Sequence, residues 1–79
     1  MKIWKLSKSE CDNTQLVTWE KIYSDPLCAS KEMFEQYTTR FKLYKDEAVV
    51  AEYHPSTCAN LVLKDGCRWT WAIDMLEIA

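Results

Sequence analysis

A single glycine, Gly66, serves all 79 residues, and this limits both the turns the chain can make and the chemistry it can host. Glycine takes positive φ without steric cost, so a tight hairpin reversal is cheap at only one place. Asp65-Gly66 lies between apolar runs at 61–64 and 67–78, which predicts a two-residue hairpin there. Loops that cradle phosphate need several glycines to bring backbone N–H groups close to the ligand. A Walker loop and a dinucleotide-binding fingerprint are therefore excluded.

With 48% apolar residues, the chain lies well outside the disordered range and is long enough for one core. Residues 1–79 read as a single compact domain, without repeat, linker or low-complexity tract. The ten aromatic residues, four of them tryptophan, supply large buried area to a small core and leave a surplus that points to a contact surface.

The first eight residues lack an uninterrupted apolar stretch, so neither a signal peptide nor a membrane span is expected and the expected location is cytoplasmic. Cys11, Cys28, Cys58 and Cys67 then read as reduced, buried small hydrophobes rather than disulfide partners. The net charge of −2 disfavours duplex nucleic acid as an obligate partner.

Alternation over residues 2–7 and 15–23 predicts a first hairpin turning through the polar run 9–14. Trp4 and Leu6 fall on one face of its first strand, and Val17, Trp19 and Tyr23 on one face of its second. Asp25 as N-cap with Pro26 at the first helical position starts a helix. Met33, Phe34, Tyr37, Phe41 and Tyr44 recur at helical spacing, making it amphipathic. Thr38-Thr39 are weak helix formers and 40–45 alternates like a strand, so the helix is expected to end near Tyr37 or Thr38. Residues 39–45 and 48–53 would then form a second hairpin; the alternative is one long helix to about Asp46. The last strand sets Cys67, Trp69, Trp71, Ile73 and Met75 on one face and Arg68, Thr70, Ala72 and Asp74 on the other. The expected fold is α+β: an antiparallel sheet of roughly four to six strands with one amphipathic helix packed across it.

His54, Cys58 and Cys67, together with Cys11 or Cys28, suggest a zinc site, and His54 beside Cys58 or Cys67 suggests a Cys–His nucleophile. Paired thiolates at knuckle spacing are missing, and no hydrolase signature surrounds either cysteine, so no metal, cofactor or catalytic residue is expected. Asp46-Glu47 reads as a solvated turn rather than an acid/base pair.

The tryptophans carry two readings. In one, Trp69 and Trp71, with Trp4 and Trp19 beside them, form the core against the helix. In the other, exposed members of Trp4, Trp19, Tyr53, Trp69 and Trp71 anchor a partner, with Asp46, Glu47, Glu52, Asp74 and Glu77 as an acidic rim. The sequence thus points to a non-enzymatic protein-binding module. The alternative is a small protein that sequesters a nucleotide on an aromatic shelf. In length and lack of catalytic motifs the chain resembles the small inhibitors that bacteriophages direct against host enzymes and CRISPR complexes, a likeness of character carried by no motif. It implies a protein partner and inhibition by occlusion or by presented charge. A homodimer through an unpaired edge such as residues 2–7 is also compatible with the sequence.

Overall fold

The computed structural model describes residues 1–78. Five strands and one helix follow in the order β1 (Lys2–Cys11), β2 (Leu16–Tyr23), α1 (Pro26–Tyr44), β3 (Ala48–His54), β4 (Cys58–Leu63) and β5 (Arg68–Glu77). The strands form one antiparallel sheet in the order β2-β1-β5-β4-β3, and α1 lies across one face of it. This is the expected α+β architecture.

The first turn is shorter than the polar run suggests. β1 continues through Ser9, Glu10 and Cys11, which pair with β2, and the reversal occupies only 12–15. The Asp12 carboxylate holds it, accepting from the Thr14 and Gln15 N–H groups at 2.7 and 2.9 Å and from the Thr14 hydroxyl at 2.8 Å. Those donors, the Thr14 N–H foremost, lower the Asp12 pKa. The carboxylate holds this turn without glycine by satisfying its N–H groups locally.

Asp25 caps α1 through its carboxylate on the Leu27 N–H at 2.9 Å, with Pro26 at the helix start. The expected end near Tyr37 or Thr38 is overturned: α1 runs on to Tyr44, so 39–44 is helix rather than strand and the alternative of one long helix is the one realised, ending at Tyr44 rather than near Asp46. The two threonines are accommodated because their hydroxyls bond back to the carbonyls of Phe34 and Glu35, each at 2.7 Å. Packing then decides the matter. Phe41 stacks on Tyr37 at 6.0 Å and Tyr44 on Trp69 at 5.2 Å, contacts a strand over 39–45 would forfeit. Lys45, Asp46 and Glu47 therefore turn from helix to strand, not from strand to strand.

Pro55 and Ser56 turn β3 into β4. Ser56 has φ 61°, the left-handed position that follows proline in a type II turn, and its hydroxyl is tied to that of Ser30 at 2.7 Å. The hairpin at Asp65-Gly66 stands, but its loop has three residues, Lys64-Asp65-Gly66. The Gly66 N–H donates to Leu63 O at 3.0 Å, and the Leu63 N–H to Cys67 O at 2.9 Å. Gly66 occupies the bulge position at φ 97°, which an L side chain adopts only under strain.

Leu6, Met33, Tyr37, Ala59, Leu61, Leu63, Trp69 and Trp71 form the core between α1 and the sheet. Trp71 is 0% and Trp69 9% exposed, so neither is a surface anchor; the core reading of these two indoles is the one realised. Trp71 donates its Nε1–H to Gln36 at 3.0 Å, and Gln36 in turn donates to Glu32 at 3.0 Å. All four cysteines are free thiols, but Cys11 and Cys28 are exposed and the other two only half-buried, so the expectation of buried cysteines is not met. Among the described residues no helix is long and apolar enough to cross a membrane.

Candidate functional site

Pairing register assigns every strand residue to a face, because directly opposed residues point the same way. Across one row, Trp19 pairs with Lys8, Lys8 with Trp71, Trp71 with Ala59 and Ala59 with Tyr53. Trp71 and Ala59 are buried under α1, so this row belongs to the helix side. The neighbouring rows on either side alternate to the opposite face. One contains Thr18, Ser9, Thr70, Asn60 and Glu52, the other Glu20, Ser7, Ala72, Cys58 and His54.

That second face has no layer over it. A single helix can cover only one side of a sheet, and the side opposite α1 remains open across all five strands. Its centre is made of small residues, Ser7, Ser9, Thr70 and Ala72, which are half-buried by their neighbours alone. A depression of about 560 Å³ lies there, with Thr18 and Glu20 at its margin. Toward one end stand Leu16, Val62 and Val50, toward the other Ile22, Ile3 and Leu76; Leu16 is 64%, Ile22 49% and Leu76 41% exposed. Charge is sparse and local. Lys5 lies 3.9 Å from Glu20 across the β1–β2 pair, Asp74 sits opposite Lys5 on β5, and Arg68 stands alone opposite Cys11 and Val62. Small residues at the centre, apolar ends and a few charges make a surface on which another protein layer can seat closely.

The residues singled out from sequence do not gather at one place. Trp4, Trp19 and Tyr53 are half-buried on the helix side, and Tyr53 is engaged with Phe34 at 5.6 Å and Tyr37 at 5.4 Å. Lys8 lies 5.7 Å from the centre of the Trp19 ring. Asp46 and Glu47 lie in the turn after α1, Glu52 and Asp74 on the open face at β3 and β5, and Glu77 opposite Lys2 at the end of β5. Five exposed carboxylates so dispersed form no common rim.

A cleft of about 370 Å³ beside α1 is lined by Lys8, Glu32, Glu35, Gln36, Thr39, Arg40 and Trp71. Its two cations are already matched, since Glu10 lies 3.4 Å from Lys8 and 3.5 Å from Arg40. With Glu32 and Glu35 on the same wall, a phosphate entering this cleft meets more negative than positive charge.

His54 and Cys58 do come together, as directly opposed residues at the β3–β4 turn, and Glu52 lies 3.9 Å from His54 Nε2. Nucleophilic chemistry needs the thiol hydrogen-bonded to its base and a shaped site for the substrate. Among the described residues no hydrogen bond joins Cys58 to His54, and His54 is open to solvent. The Asp65 carboxylate, which accepts from the Cys67 backbone N–H at 2.9 Å, lies beside the thiol and raises the Cys67 pKa, as does burial, which is the reverse of activation. No group of three metal-ligating side chains assembles among the described residues.

Reasoning from the sequence looked for the site among large aromatic and acidic residues and passed over Ser7, Ser9, Thr18, Thr70 and Ala72. The signal was present in the alternation of β5, whose Arg68-x-Thr70-x-Ala72-x-Asp74 face is too polar for a core yet carries only small uncharged residues at its centre. Comparison with family models, with characterised proteins and with solved structures found no match to this chain.

Proposed function

We propose that this protein is a non-enzymatic protein-binding module that docks through the open face of its sheet. The observation that supports the reading is the small-residue centre on Ser7, Ser9, Thr70 and Ala72, flanked by exposed apolar side chains at both ends. An open sheet face of this kind offers contact over a broad area around its central depression. Against a bacterial enzyme, such a face would act by occlusion. Charge presentation has less support, because Asp46, Glu47, Glu52, Asp74 and Glu77 are divided among the turn after α1, two distant strands of the open face and the end of β5.

The test is affinity capture with the tagged chain from bacterial cells that also carry an untagged copy. Wild type is compared with Thr70→Arg, which places a long cation at the centre of the open face, and with Leu43→Arg on the outer side of α1. A stoichiometric partner retained by Leu43→Arg and lost with folded Thr70→Arg is the expected result. A partner retained by Thr70→Arg, or no partner at all, refutes the reading.

A further inference from the structure

Resting on the protein-binding reading of the open face, we infer that its occupant is a second copy of the chain, stacked face to face about a two-fold axis. The axis lies in the plane between the sheets, perpendicular to the strands, at the level of the Trp19–Lys8–Trp71–Ala59–Tyr53 row. Charge complementarity selects this arrangement. Arg68 and Asp74 are equidistant from Trp71 along β5 and both point to the open face. A two-fold at Trp71 therefore sets Arg68 of one copy over Asp74 of the other, twice.

The rest of the face follows the same operation. Asp74 stands beside Lys5, and Lys5 is already paired with Glu20, so each incoming Arg68 completes a cluster of two cations and two carboxylates. On β3, equidistant from Tyr53, Glu52 falls over His54 of the second copy. On β2, equidistant from Trp19, Leu16 falls over Ile22, covering two exposed apolar side chains of this face. Near the axis, Ser9 meets Ser7 and Thr70 meets Ala72; two depressions face one another there, and the contacts that close the interface are those of Leu16 with Ile22 and of Arg68 with Asp74 to either side. The usual tilt of about 30° between aligned sheets displaces the outer strands more than β1 and β5, where the charge cluster sits.

The competing two-fold, parallel to the strands, is disfavoured by the same residues. With its axis along β5 it superposes Arg68 on Arg68 and Asp74 on Asp74. With its axis along β1 it sets Arg68 over Leu16, Asp74 over Ile22 and Lys5 over Lys5, and with its axis midway between β1 and β5 it sets Lys5 over Asp74 but Arg68 over Cys11, so that Arg68 meets no carboxylate. The molecule measures 44 × 23 × 14 Å, and its two longer dimensions bound a face of roughly 1,000 Å², enough for the about 800 Å² that each partner gives to a standard interface.

Analytical ultracentrifugation of the purified chain over a wide concentration range tests this, with Arg68→Asp, Asp74→Arg and the double exchange, each checked for folding by circular dichroism. The wild type is expected to dimerise, each single reversal to weaken the dimer at least tenfold, and the double exchange to restore it to within about threefold, because both signs return to every cluster. A dimer indifferent to all three variants overturns the stacking. A wild type monomeric throughout overturns it as well, while capture of a different protein that is lost with Thr70→Arg then leaves the protein-binding reading standing. If that capture also fails, both fall together.

Discussion

Replacing Trp71 with phenylalanine measures how far stability rests on the indole beneath α1. Trp71 is fully buried, meets Tyr37 edge-on with ring centres 5.8 Å apart, and donates its N–H to Gln36 at 3.0 Å. Phenylalanine keeps a ring in place but leaves a void of about 40 Å³, which at ~24 cal/mol per Å³ costs about 1 kcal/mol. The lost apolar burial adds about 1 kcal/mol, and the lost hydrogen bond about 1 kcal/mol more. The expected destabilisation is about 2–3 kcal/mol, a large share of the about 4–12 kcal/mol that holds a domain of this size. Thermal unfolding followed by circular dichroism should show Tm lower by roughly 8–20 °C. Gln36→Ala should cost less in the Trp71→Phe background than in wild type, because their shared bond is already gone. A Trp71→Phe variant within about 0.5 kcal/mol of wild type would show that α1 does not dock on this indole.

Other perturbations read the local devices one at a time. Gly66→Ala forces a methyl group onto φ 97° with Asn13 Oδ1 at 3.4 Å, and urea denaturation should show a loss of about 1 kcal/mol or more. Asp25→Ala removes the cap on the Leu27 N–H and should cost about 1 kcal/mol by the same assay. Asp12 has a lowered pKa because the Thr14 N–H, the Thr14 hydroxyl and the Gln15 N–H all donate to its carboxylate. Its contribution is therefore complete above the unfolded-state carboxyl pKa and is lost as pH falls through the lower folded value. Asp12→Asn should flatten the acid limb of the stability profile, and an acid limb identical to wild type would contradict the assignment.

The parts of this fold written locally were the parts legible in the sequence. Asp25-Pro26 marked the helix start, Asp65-Gly66 marked a reversal, and the alternation of β5 separated the buried Trp69 and Trp71 from Thr70 and Ala72. The helix end was not legible, because Thr38 and Thr39 argue locally for a stop while Phe41 and Tyr44 gain their partners, Tyr37 and Trp69, only once the tertiary fold exists. Much the same holds for the first turn: the polar run 9–14 contains no mark distinguishing strand from loop until Ser9, Glu10 and Cys11 find partners on β2. The candidate site was hidden for a different reason. Serine, threonine and alanine attract no attention one by one, and their meaning arises when register sets Ser7, Ser9, Thr70 and Ala72 side by side on a face with nothing above it. Large aromatics drew the search toward Trp69 and Trp71, whose size is what commits them to the core.

The most direct test of whether the open face is the working surface is site-specific photocrosslinking in bacterial cells, with a benzophenone side chain introduced at Thr70 or, for comparison, at Leu43. A discrete protein adduct from position 70 and none from position 43 is the predicted result, and its mass tells a second copy from a different partner. Adducts from position 43 alone, or from neither position, would contradict the account.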